Sequence, residues 1–96
     1  MQTKAAELAG MLEGKTIFYV KIETPNDRES IDEITLEKQQ GIAYRVDGSR
    51  IVFIAGETAA AFELLETAQI LTNRTEEADI IVTLAENGGL QIKSRL

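Results

Sequence analysis

The stretch IVFIAGETAAAFELLETAQIL (51–71) decides the fold, because it runs from an apolar strand pattern through one glycine into a helical one. Ala61, Leu64, Leu65, Ala68 and Leu71 fall at i, i+3, i+4, i+7 and i+10, the spacing of one face of a helix. The expectation is a strand over 50–55, a turn at Gly56 and a helix beginning near Glu57. A strand, a glycine turn and a helix N-terminus are also the parts of a phosphate site. A cradle of that kind wants several glycines, and here there is one, followed by Glu57, whose charge opposes an incoming phosphate. The stretch therefore reads as a capped change of direction, with Thr58 as a capping residue. Its end at Gln69–Thr72 stays open between helix and strand.

Upstream, IAYRVD (42–47) and RIVFIA (50–55) flank Asp47-Gly48-Ser49, which predicts a tight hairpin because the central turn positions favour φ > 0. KTIFYVKIE (15–23) is the strongest strand pattern, with Phe18, Val20 and Ile22 on one face and Ile17 and Tyr19 on the other. TPNDRESIDE (24–33) reads as a turn at Pro25-Asn26 and an acidic connection, and ITLEK (34–38) as a further strand. At the start, Thr3 is placed to cap a helix over 4–12 with Ala5, Leu8, Met11 and Leu12 on its apolar face, closed by Gly14. The final stretch from Ala78 to Leu96 predicts a second hairpin turning at Asn87-Gly88-Gly89. The order α-β-β-β-β-α-β-β predicts an α+β fold, an antiparallel sheet of about six strands with two helices packed on one face. The expected core is Phe18, Val20, Ile22, Phe53, Leu64, Leu65, Ala68 and Val82. Residues 1–96 read as a single domain.

Composition narrows the chemistry. The 96 residues contain no cysteine, histidine or tryptophan, which removes thiol chemistry, the commonest general base and the best stacking platform. No metal site, cofactor or catalytic residue is expected. Net charge is −6, and six acids (Glu23, Asp27, Glu29, Asp32, Glu33, Glu37) stand against Arg28 and Lys38 between 23 and 38. That field opposes a phosphate backbone, so no direct nucleic-acid binding is expected. NDRESIDE (26–33) has the acids of a calcium loop without its glycine or spacing. The N-terminal 15 residues lack the apolar run of a signal peptide, and no membrane helix is evident, so a cytoplasmic location without membrane association is expected.

The stretch from Gly56 to Arg74, after a strand–Asp-Gly–strand hairpin, resembles the middle of the small ring nucleases that cleave cyclic oligoadenylate. Asn73-Arg74 matches an Asn-Arg pair of that family, while Glu57 stands where the family has a histidine. The resemblance implies a glycine turn leading into a helix, without the activity. The reading adopted instead is a non-catalytic interaction or assembly domain that self-associates. Its candidate partner-binding residues are Asp27, Glu29, Asp32 and Glu33 in the acidic segment, with Lys93 and Arg95 on a C-terminal strand expected at a sheet edge. Alternatives are a small-molecule binder using a sheet–helix cavity, or an acidic inhibitor or decoy of a nucleic-acid-binding protein.

Overall fold

Thr3 begins the fold as its position predicts. Its hydroxyl accepts from Ala6 N at 3.1 Å and opens the helix α1 (Lys4–Leu12), which Gly14 closes at φ +79°. The same hydroxyl donates to Gly48 O at 3.2 Å, pinning the helix start to a hairpin 45 residues away. Ala5, Leu8 and Leu12 are buried, as the apolar spacing requires. The computed structural model describes residues 2–25, 30–86 and 88–96.

The chain is α+β. Among the described residues, α1 is followed by eight strands: β1 (Thr16–Pro25), β2 (Ile31–Glu37), β3 (Ala43–Asp47), β4 (Arg50–Ala55), β5 (Thr58–Glu63), β6 (Gln69–Arg74), β7 (Asp79–Ala85) and β8 (Gly88–Arg95). They form a five-stranded sheet in the order β2-β1-β8-β7-β6 and a three-stranded sheet β3-β4-β5, antiparallel throughout. The expected six-stranded sheet with two covering helices is corrected on both counts. One core holds the two sheets together, with Val20, Ile22, Leu90 and Ile92 from the larger, Ile51, Phe53 and Phe62 from the smaller, and α1 packed against β3 and β4.

The second expected helix is replaced by β5, a turn and β6. Ala55 pairs with Thr58, so Gly56-Glu57 is a two-residue hairpin loop with Gly56 at φ +62°. Asp47 pairs with Arg50, leaving Gly48-Ser49 as an equivalent loop with Gly48 at φ +63°, one residue later than Asp-Gly at the tip would place it. In β5 the burial alternates, with Ala60 and Phe62 inside and Ala59, Ala61 and Glu63 outside. A helix would bury Ala61 and Leu71, which are both exposed. It would also leave β4, with Ile51 and Phe53 fully buried, without a ladder partner on its second edge. Tertiary pairing overrides the local preference of Ala, Glu and Leu for helix. The likeness to ring nucleases fails here too, since its glycine leads into a strand.

Three expected core residues are only half-buried, namely Phe18, Leu65 and Val82. A β-bulge between Ile17 and Tyr19 against β8 explains the first. It turns Ile17 into the core beside Val20 and Ile22 and leaves Phe18 at the surface. At the bulge, Ile17 O accepts from Ile42 N at 2.7 Å, where the chain crosses toward the smaller sheet. Leu65 lies in the turn closed by Ala68 N donating to Leu65 O, and Val82 faces away from the core between Ile81 and Thr83, both buried.

Candidate functional site

The five-stranded sheet turns one face to the core and one outward, and its registers define what the outer face carries. Three rows cross the strands. Glu37, Tyr19, Lys93, Ile80 and Asn73 form the first; Thr35, Lys21, Gln91, Val82 and Leu71 the second; Glu33, Glu23, Gly89, Leu84 and Gln69 the third. The β2–β1 side is polar and charged. The β7–β6 side presents Ile80, Val82, Leu84 and Leu71, of which Leu84 and Leu71 are 50% and 51% exposed. Between the halves, Gly89 offers no side chain, and a hollow of about 230 Å³ opens among Lys21, Glu23, Val82, Leu84 and Gln91.

Each half has its own ionic fastening. On the charged side, Lys21 Nζ lies 2.8 Å from Glu23 Oε1. The hydrogen bond and charge of Glu23, with the charge of Glu33 behind them, hold the Lys21 ammonium above its ordinary value. At the far end, Asp79 takes Arg74 Nε on Oδ1 at 2.9 Å and Lys15 Nζ on Oδ2 at 3.2 Å. Arg74 first, then Lys15, hold its carboxyl below the ordinary carboxylate value. This carboxylate joins β6 and β7 to the segment between α1 and β1. Thr75 closes the β6–β7 turn by accepting from Ala78 N at 3.1 Å and donating to Ala78 O at 3.1 Å.

The residues singled out from the sequence do not converge. Asp27 and Glu29 lie outside the described residues. Asp32 and Glu33 are exposed on β2 and, as neighbours on one strand, point to opposite faces. Lys93 and Arg95 are on β8, which is the middle strand of the five, so the expected edge position is corrected. The C-terminal strand is central because β1 and β7 both pair with it. The Lys93 ammonium sits 4.5 Å over the Tyr19 ring and the Arg95 guanidinium 5.1 Å over Phe18. Arg95 also donates to Gln39 Oε1 at 3.3 Å and to Gln39 O. Within the chain, β1 separates these cations from β2.

Leu71, Ile80, Val82 and Leu84 escape a reading that assigns Leu71 to a helix face and Val82 to the core. The alternation of ADIIVTLA (78–85), with Ile81 and Thr83 inward, was the signal that places Ile80, Val82 and Leu84 together outside. Among the described residues no group of three or more Asp or Glu side chains is placed to hold a metal ion, and no helix is long and apolar enough to cross a membrane. No family model, curated protein or solved structure matches the chain.

Proposed function

We propose that this chain is a non-catalytic protein interaction domain that self-associates, working in the cytoplasm. The observation that supports this reading is the gathering of Leu71, Leu84, Ile80 and Val82 on one half of a sheet face, ending at an open edge strand. Contiguous exposed apolar surface of this kind marks contact sites. Sedimentation velocity from low to high micromolar concentration tests it: a concentration-dependent shift toward a dimer is expected, and a monomer throughout sinks the reading.

A second reading rests on the opposite edge. β2 carries Asp32, Glu33 and Glu37 together with Ile31 and Ile34, 65% and 47% exposed. Acidic and apolar side chains on one open strand suit a cationic protein partner, as an inhibitor or decoy of a nucleic-acid-binding protein would need. Such a partner would be released as salt rises. Retention of a basic partner at molar salt would count against it.

A further inference from the structure

We infer that β6 is the strand at which a second copy of this chain joins, antiparallel, with Leu71 of one copy directly opposite Leu71 of the other. This deepens the self-association reading above and rests on it. The two sheets leave four edge strands, β2, β6, β3 and β5. An open strand is usually guarded by charge, proline or a bulge. β2 has three carboxylates, so two β2 strands repel each other. β3 is flanked by α1, whose Ala9 O accepts from the Tyr44 hydroxyl, and it carries Arg45 and Asp47. β5 ends on Glu63, hydrogen-bonded to Ser49. β6, Gln69–Arg74, holds no carboxylate, proline or glycine, and Arg74 is already bound to Asp79. In a chain of net charge −6, β6 is the edge that carries no negative charge of its own to repel a copy.

The register follows from the faces. In an antiparallel pair, opposed residues share a face, so a two-fold contact sets one residue against itself. Centring on Leu71 pairs apolar with apolar and amide with amide on the outer face, Leu71 to Leu71 and Gln69 to Asn73, and sets Ile70 against Thr72 on the inner face. Centring on Thr72 instead opposes Leu71 to Asn73 and Ile70 to Arg74, which wastes both apolar residues. With Leu71 at the centre, the row Val82–Leu71 continues into Leu71–Val82 of the second copy. Arg74 then falls opposite Ala68, beside the turn that holds Glu66, so the charges at the two ends of the contact complement each other. Six residues per copy make a small contact, so the dimer is weak, and its apolar centre leaves it little affected by salt.

Two readouts test the assignment on the full chain. Leu71→Lys sets two ammonium groups opposite each other and is expected to weaken association about tenfold or more in sedimentation. Thr35→Lys, at the other end of the same row, is expected to leave it unchanged. The chain has no cysteine, so single substitutions report register: Leu71→Cys is expected to give a disulfide-linked dimer under mild oxidant, and Asn73→Cys far less. The facing Cα distance in an antiparallel pair, about 4.5–5.5 Å, lies within disulfide range. In a chain that self-associates, failure of either readout overturns the β6 assignment and leaves the self-association reading standing. A wild-type chain that stays monomeric overturns both.

Discussion

The outer face of the five-stranded sheet is two surfaces divided at β8. On the β2–β1 side, Glu23, Glu33, Glu37 and Lys21 make the outer rows charged. On the β7–β6 side, Leu71, Val82 and Leu84 stand in the same rows with no charge among them. Both halves share a backbone ladder and one core, so their difference lies in side chains alone. Ladder pairing sets which strands meet, while the outward residues set what the finished sheet can meet.

The sharpest way to break this arrangement is at the seam. Gly88 has φ +124°, and a Cβ placed there would lie 2.0 Å from Glu23 O. Gly88→Val therefore forces β8 away from β1, and a loss of about 3 kcal/mol or more is expected in urea unfolding. Gly48, at φ +63° with open space around it, provides the contrast, and Gly48→Ala is expected to cost about 1 kcal/mol. A smaller change of opposite sign is expected on the inner side of β7. Thr83 is fully buried, and its hydroxyl has no hydrogen-bond partner among the described residues. Thr83→Val keeps the branched shape and should raise stability by about 1 kcal/mol, read as a higher urea midpoint at unchanged slope. Leu71→Ala on the apolar outer half should change the monomer's stability by less than about 0.5 kcal/mol, since the side chain is already half in water.

The two ionic contacts, Lys21–Glu23 on the outer face of β1 and Asp79 with Arg74 and Lys15 on β7, respond to opposite ends of the pH scale. The folded Asp79 carboxyl titrates below its unfolded value, so its contribution is present above about pH 4 and is lost as pH falls through the lowered folded pKa. Lys21 titrates above its unfolded value, so its contribution is present below about pH 10 and is lost as pH rises through the raised folded pKa. Asp79→Asn is expected to flatten the acid limb of a stability profile and spare the alkaline one, and Lys21→Gln the reverse. Loss of both limbs in either variant would show that the fastenings are not separate.

How much of this was legible in the residues depends on where the deciding contact lies. α1 and the β3–β4 hairpin are written locally, in Thr3, Gly14 and Gly48; the helix stands where the sequence places it and the hairpin turns one residue later than Asp47-Gly48. The stretch after Gly56 is written nonlocally. Ala, Glu and Leu favour a helix there, and β4 claims those residues for its ladder. The Gly56-Glu57 loop has the same form as Gly48-Ser49 eight residues earlier, and that repetition was the available signal. Phe18 misleads because a bulge cannot be seen in an alternating pattern. The candidate site was the least legible part, since Lys93 and Arg95 owe their central position to strand order, which no local pattern encodes.

The double use of the Thr3 hydroxyl has a consequence for the order of events in folding. A nine-residue helix containing Gly10 is too short to persist alone, and its capping hydroxyl is itself tied to Gly48 O, 45 residues along the chain. The β3–β4 hairpin supplies part of the surface against which the helix packs, so the helix is expected to dock late. Leu8→Ala is expected to accelerate unfolding while leaving the refolding rate nearly unchanged in stopped-flow measurements, placing the helix on the native side of the barrier. A matching drop in the refolding rate would put it in the nucleus instead.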